Sequence, residues 1–397
     1  MVRKSYFGGR AGMASAPGAK SRPAPVGHAG VSIVKRLVAP GRRGPGRGVA
    51  FAPSINESGP ASMLRNEVMA MSVAHPQAMA VGDGIFRIPC PFDVDGVVHL
   101  YYIEAPEPAL IDTGVATTPH AQLALALRGV GLDLASVQHI LTTHGHWDHM
   151  GGHAAMRAIA PHATIHVHPA DAYLLDRLEA HTFGYITYMP RALGDAQELA
   201  SVTSKIAENI VVPVRADNLV LDSNTISLGG GRAVRAVHVP GHSRGSIAFY
   251  LEDAKTLFTG DAIQGMGGGP GRLPLVFDDA RAYRATVLRV ANLAPDRLCL
   301  GHAFHGLPGG SGTDPVRQGP VARTFLEESG QAAKAVEEAM RRALANGDPG
   351  FIAAARIVLA ALADDLGVAR DQEGLNRRAI PTLHAFYREQ VGAPPPV

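Results

Sequence analysis

The segment from Thr143 to Gly152 reads THGHWDHMGG. Three histidines and an aspartate fall within the six positions from His144 to His149, beside Trp147, the chain's single tryptophan. Neutral imidazoles at His144, His146 and His149 and a carboxylate at Asp148 suit zinc or another borderline first-row metal. Adjacent side chains cannot both point inward from one regular helix or strand. The cluster is therefore expected on a loop, between the apolar strand VQHILTT and a helix that follows MGGH. Gly145, Gly151 and Gly152 permit the tight backbone such a loop needs. Four ligands do not complete two catalytic metals, so more are expected from elsewhere. Three candidates stand after strand-like stretches in the second half: His242 in VPGHSRG, Asp261 in FTGDAI and His302 in LGHAFH, each preceded by Gly.

HxHxDH followed in order by PGHS, GD and GH resembles the metallo-β-lactamase superfamily, with Asp112 in IDTG matching that family's early aspartate. The resemblance spans about residues 80–310. It implies an α+β fold, a four-layer αββα sandwich with metals at one edge of its two sheets. It implies one metal held by His144, His146 and His242 and a second by Asp148, His149 and His302, with Asp261 bridging both. Asp112 would hold a ligand or its loop by hydrogen bond. The implied activity is a zinc-dependent hydrolase with two Zn2+ per chain, iron or manganese being the alternative metals. A hydroxide bridging the metals would attack a small thioester, lactone or carboxylic ester, and Asp148 would orient the water and take a proton. No GxSxG nucleophile elbow is present. The stretch after Asp261, a helix and then a strand before His302, is similar to the glyoxalase II-like and lactamase-beta-like branch, whose members also carry a helical C-terminal portion. The basic glutathione-binding cluster of glyoxalase II has no counterpart in the tail. Other chemistries in the superfamily remain open on these motifs: a mononuclear-iron sulfur (persulfide) dioxygenase, displacement of an activated leaving group such as a halide, and β-lactam hydrolysis. A non-catalytic module that kept only the fold is disfavoured by seven intact positions.

Positioning these residues requires strands that end at them. GIFRIPC, VVHLYYIE and PALIDTG read as short strands bounded by Pro, Gly and acidic turns. TTPHAQLALALRGVG reads as a helix with Thr at its cap, Pro in its first turn and Gly at its end. HAAMRAIA and PADAYLLDRLEAH read as further helices around the strand TIHVH. AVRAVHVP, SIAFYLED, TLFTGDAI and DRLCLGH read as strands, with LEDAKT as a hairpin turn. Strands with interspersed helices in each half suggest two sheets covered by helices. Residues 182–218 look like a partly helical insertion between the halves. Beyond Asp314 the chain is expected to turn helical: Val321, Phe325 and Leu326 on one apolar face, Val336, Met340 and Leu344 recurring every four residues. FIAAARIVLAALADDLG is apolar nearly all round, as a buried helix would be.

The domain reading is thus an extension over 1–79, the metallo-β-lactamase-fold domain over 80–312 and a helical region over 313–397. The extension is rich in Gly, Pro, Ala and Arg and lacks periodicity, which suggests disorder. Residues 1–56 carry ten Lys or Arg and no acid, leaving 27 basic against 35 acidic residues, a formal −8, for the rest of the 397-residue chain. That negative body argues against a nucleic-acid partner. The acid-free start resembles an organelle transit peptide; a flexible extension, or a start at Met63, Met69 or Met71, accounts for it equally. With two cysteines, Cys90 and Cys299, and no apolar run of membrane-spanning length, the expectation is a cytoplasmic protein, or an organellar one if the extension targets it. The expected partner is a small-molecule substrate. The tail helices could close its pocket or form a homodimer interface.

For the seven ligand candidates the competing explanation is a structural zinc, but such sites are closed, four-coordinate and often Cys-rich. Trp147 reads as packing under the metal loop. His305 reads as a surface residue, with a pocket role as the alternative. His166 and His168 read as strand residues without a metal role. Tyr185 and Tyr188 could line the pocket or simply pack, and His181 and Arg191 carry weaker signals still.

Overall fold

The computed structural model describes residues 77–93, 96–183, 191, 193–269, 271–371 and 374–393. Tyr185, Tyr188 and nearly all of the 1–79 extension lie outside them. The first sheet has seven strands in sequential order: β1 (Met79–Gly82), β2 (Ile85–Pro91), β3 (Val97–Ile103), β4 (Ala109–Ile111), β5 (His139–Leu141), β6 (Thr164–Val167) and β7 (Asn218–Leu219). It begins antiparallel and becomes parallel from β4 onward. The second sheet has six strands: β8 (Thr225–Ser227), β9 (Ala233–His238), β10 (Ile247–Leu251), β11 (Thr256–Gly260), β12 (Arg297–Leu300) and β13 (Val316–Gln318), in the spatial order β13-β12-β11-β10-β9-β8. Within it β11 and β12 are parallel, because a helix crosses between them.

Side-chain alternation divides the interior into three apolar layers, and these make the four-layer sandwich. On β3, Val98, Leu100 and Tyr102 face the helices of the first half, while Tyr101 and Ile103 face the second sheet. On β10, Ile247, Phe249 and Leu251 face the first sheet, while Ala248 and Tyr250 face the helices of the second half. This period of two lets each strand bury both faces. The fold is the αββα metallo-β-lactamase sandwich with C-terminal helices.

The helices of the first half are α1 (Ala124–Arg128, entered through a wide turn at Pro119–Leu123), α2 (Trp147–Met150), α3 (His153–Ile159), α4 (Ala172–Asp176), α5 (Leu178–Phe183) and α6 (Ala196–Ile210). Those of the second half are α7 (Ala280–Leu293), α8 (Pro320–Ala343), α9 (Phe351–Leu366) and α10 (Ile380–Val391). Sharp caps mark α6 and α7: Asp195 accepts from Glu198 N and Asp279 from Ala282 N, satisfying donors that the first turn leaves orphaned. The last three helices share one apolar cluster with β9–β12 and α7, so the tail forms much of the helical layer over the second sheet.

Several local expectations are corrected. Thr118 stands at the cap position but makes no side-chain capping bond; its backbone is already helical and its hydroxyl accepts from Val115 N instead. The stretch expected as one helix from Pro169 to His181 breaks at Arg177, whose extended backbone separates α4 from α5. The chain does not turn helical directly after Asp314, because Val316–Gln318 pairs with β12 as an edge strand. On α8, Phe325, Leu326, Val336 and Met340 are buried, but Val321 is 46% exposed and Ala322 takes the inward place. On α9, Ile357 faces outward and the buried face is Ala354, Ala355, Val358, Leu359 and Leu362. Among the described residues no helix is long and apolar enough to cross a membrane.

Truncating Met340 to Ala removes a fully buried side chain and is expected to cost about 2–5 kcal/mol. Val321→Ala should stay within about 0.5 kcal/mol. Urea unfolding of both variants checks the assignment of the α8 face.

Candidate metal centre

Asp112 and every ligand candidate but two stand within five residues beyond a strand of the sandwich. Asp112 follows β4, His144 and His146 follow β5, His242 lies beyond β9, Asp261 follows β11 and His302 lies two residues beyond β12. Asp148 and His149 are the exceptions. They sit on α2, a single helical turn from Trp147 to Met150, and not on an irregular loop as their adjacency suggests. Successive helix positions differ by about 100°, and the site straddles the turn: Asp148 Oδ2 and His149 Nε2 both approach His302 Nε2, at 3.2 Å and 3.3 Å.

The seven side chains converge. His144, His146 and His242 place one ligand atom each within 4.8 Å of one another, and so do His144, His149 and Asp261, and Asp148, His149 and His302. His242 Nε2 lies 2.9 Å from His146 Nδ1. Asp261 reaches His149 at 3.5 Å, His302 at 3.5 Å and His242 at 3.7 Å, which places it between the first and last groups. Gly301 makes this approach possible: a Cβ there would lie 2.5 Å from Asp261 Oδ1 and 2.9 Å from His149 Cε1.

The imidazoles are oriented from outside. His149 Nδ1 donates to Asp112 Oδ2 at 2.8 Å, His242 Nδ1 to the Leu275 carbonyl at 2.6 Å and His302 Nδ1 to the Val97 carbonyl at 2.7 Å. Each bond keeps a proton on Nδ1 and turns Nε2 toward the centre. His144 Nδ1 lies 3.1 Å from Thr143 Oγ1, and that hydroxyl donates onward to Asp112 Oδ2 at 2.7 Å. Asp112 also accepts from Thr143 N at 2.7 Å, so one buried carboxylate braces both the strand end and His149. Gln264 Oε1 accepts from Leu275 N at 2.8 Å and so fixes the carbonyl that receives the His242 proton.

The inward-facing atoms are left wanting a partner. His144 Nε2 and Asp261 Oδ1 are buried and have no hydrogen-bond partner among the described residues. Such groups carry a full desolvation cost unless something binds them. Burial, reinforced by the neighbouring histidines, pushes His144 and His146 well below the ordinary imidazole value. Burial also lowers His242, against the opposing charge of Asp261. For His149 burial is outweighed by Asp261, Asp148 and Asp112, which raise it well above that value. Burial works upward on Asp148 and Asp261 too, but the facing histidines leave both carboxyls below the usual range. Imidazoles kept neutral at His144, His146 and His242, beside ionised carboxylates that favour positive charge at His149 and His302, are a donor set that fits a divalent cation such as zinc.

Around the ligands, Phe277 packs edge-on against His146 and His242, with ring centroids 5.5 Å and 5.4 Å apart. On the other flank Phe92 stands 6.0 Å from His302 and 5.3 Å from Trp147. Trp147 is buried within α2 itself, and Lys205 of α6 lies over its ring at 5.5 Å. The insertion helix α6 thus packs behind the ligand-bearing turn. His305 is half-buried and lines a cavity of about 420 Å³ with Met266, Leu307, Pro308 and Leu366. His166 bonds to His139 and Asn218, and His168 stacks on His238 at 4.2 Å, away from the seven. His181 is buried and bonds to the Leu174 carbonyl.

The metallo-beta-lactamase superfamily profile matches residues 95–302, just over half of the chain. The chain belongs to the metallo-beta-lactamase superfamily. It is 32% identical to the acyl-coenzyme A thioesterase MBLAC2 of Gallus gallus over 46% of this chain and 64% of that one. It is 29% identical to an atrochrysone carboxyl ACP thioesterase of Aspergillus fumigatus over 40% of this chain and 27% of that one. These matches span less than two thirds of the relatives' own lengths. A metallo-beta-lactamase family protein from Thermus thermophilus shares the fold, with a TM-score of 0.55 at 22% identity over 79% of this chain and 95% of that one.

Sequence reading did not find Thr143 or Gln264. Thr143 is only a polar residue at a strand end, and Gln264 lies in a DAIQG turn of ordinary composition whose contacts reach eleven and more residues away. Removing the Asp112 carboxylate strips an acceptor from Thr143 N, Thr143 Oγ1 and His149 Nδ1 together. Asp112→Ala should therefore weaken metal binding by about 10–100-fold, measured by equilibrium dialysis against zinc. Unchanged affinity would show that the brace is dispensable.

Proposed function

We propose that this protein is a zinc-dependent hydrolase that cleaves small acyl thioesters, with lactones and carboxylic esters as its next substrates. The observation that carries this reading is the convergence of seven ligand-type side chains into overlapping groups, two of whose inward atoms are buried with no hydrogen-bond partner among the described residues. The proposed ligands are His144, His146 and His242 for one ion, and Asp148, His149 and His302 for the other, with Asp261 between them. Two zinc ions held there would bring the pKa of a bound water near neutrality and polarise the carbonyl of a bound ester.

The chain's own part begins with Asp148. Its side chain is 15% exposed, whereas those of His149 and Asp261 are 0% and 8% exposed, so it meets both the cluster and the solvent side. Its carboxyl, held below the usual range against the upward push of burial, stays ionised at neutral pH and can accept the proton of an attacking water. The water oxygen forms the new C–O bond and the C–S bond breaks. The proton passes from Asp148 to the departing thiolate, leaving a carboxylic acid and a free thiol. Phe277 and Phe92 present apolar edges on the two flanks of the ligands, which suits an acyl group and limits stray water. Thioesters are preferred within the ester class because the named relatives are thioesterases of coenzyme A and acyl-carrier substrates.

The test is thiol release from a panel of acyl-coenzyme A thioesters, run beside lactones and simple carboxylic esters. Wild-type protein should be most active on a thioester. Asp148→Ala, shown folded by its melting curve, should lose about 10²–10⁴-fold in kcat. A folded Asp148→Ala protein with full hydrolytic activity would overturn the role of Asp148 in this proposal.

A further inference from the structure

Asp171 is a buried carboxylate, 1% exposed, at the position just before α4. An aspartate there would ordinarily cap the helix it precedes, yet its side chain makes no such bond. It points into the site's supporting loops instead. Oδ2 accepts from Gly145 N at 3.0 Å and from Ser243 Oγ at 2.7 Å, and Oδ1 accepts from Gly245 N at 2.7 Å. Gly145 lies between His144 and His146, and Ser243 follows His242 directly. One carboxylate thus bonds to both loops that carry the three-imidazole group, across 26 residues on one side and 72–74 on the other.

The surroundings are shaped for this contact. A Cβ at Gly245 would lie 2.6 Å from Asp171 Cγ and Oδ1, so any side chain there would displace the carboxylate. A Cβ at Gly145 would meet Leu174 Cβ at 2.7 Å. Ser246 Oγ lies 2.7 Å from Ser243 Oγ and accepts from Ser243 N, which fixes the hydroxyl that donates to Asp171. Burying an ionised carboxylate is costly unless donors replace its water, and here three do so.

We infer that Asp171 is a positioning residue for the group His144, His146 and His242, clamping the His144–His146 loop to the His242 loop at the spacing one ion requires. Unlike Asp112, it touches no imidazole and acts through the backbone and Ser243 of the two loops. The inference rests on the proposed metal reading. It predicts a selective effect: without Asp171, the ion held by the three imidazoles is weakened and the one at Asp148, His149 and His302 is spared.

The experiment titrates metal-stripped wild-type protein, Asp171→Asn, Ser243→Ala and His242→Ala with Co2+. Visible ligand-field absorption and bound cobalt by dialysis are read together, with the melting temperature of each stripped protein as a control. Wild-type protein should bind two equivalents, and His242→Ala identifies the step that belongs to the imidazole group. Asp171→Asn should weaken that step by about 10–100-fold and alter its absorption bands, leaving the other step within about 3-fold. Ser243→Ala removes one of the three donors and should weaken the same step by less. If Asp171→Asn does not fold, the Ser243→Ala result decides. Wild-type affinity at the identified step, or equal weakening of both steps, would overturn the positioning role while leaving the metal reading intact. No cobalt bound by wild-type protein would overturn the metal reading and this inference with it.

Discussion

One hydrogen-bonding constraint organises the site: the outward Nδ1 of His149, His242 and His302 is held, so that Nε2 of each ring faces the centre. Asp112, the Leu275 carbonyl and the Val97 carbonyl each accept a ring N–H, and three Nε2 atoms are thereby fixed toward one small volume. Without a cation, converging lone pairs and carboxylates repel or stay unsatisfied, a cost of several kcal/mol in a buried site. The fold accepts that local cost because the rest of the sandwich is well packed. Binding energy for a metal is the natural return.

The two sheets supply the required rigidity. Parallel pairing of β4 with β5, and of β11 with β12, brings the ends of those strands to one edge, where Asp112, His144, His146, Asp261 and His302 leave them. Tyr101 OH donates to the Leu300 carbonyl at 2.7 Å and His99 N to the Gly301 carbonyl at 2.7 Å, tying the first sheet to the end of β12 beside His302. The helices act at one remove. The insertion helix α6 packs behind α2 through Lys205 and Asn209, and Gly151 leaves no room for a side chain against the Asn209 carbonyl. Shifts in these outer layers would move ligands without touching them.

The strands and helices were legible because their signals are local, while the αββα arrangement came from the family resemblance. Strands with a period of two, bounded by Pro and Gly, and a four-residue helical repeat at Val336 and Met340 are read from neighbours in the chain. The ligand candidates were legible because four sit in one motif and three follow strands. What escaped was set by tertiary contact. Asp171 is unmarked within its helical stretch, because its partners lie 26 to 74 residues away. Thr143 and Gln264 adjoin the ligand motifs but are not ligand types, and Phe277 lies in a segment whose composition does not mark it. Val321 continues the apolar repeat, yet the register of α8 turns Ala322 inward in its place. The helical setting of Asp148 and His149 was missed because a one-turn helix has no periodicity to read.

The proposed chemistry depends on two cations sharing this set of side chains. The most direct test is the metal content of the purified protein, by elemental mass spectrometry with no metal added. About two zincs per chain are expected. About one iron per chain would contradict the dinuclear reading and point to oxygen-dependent chemistry at the same residues.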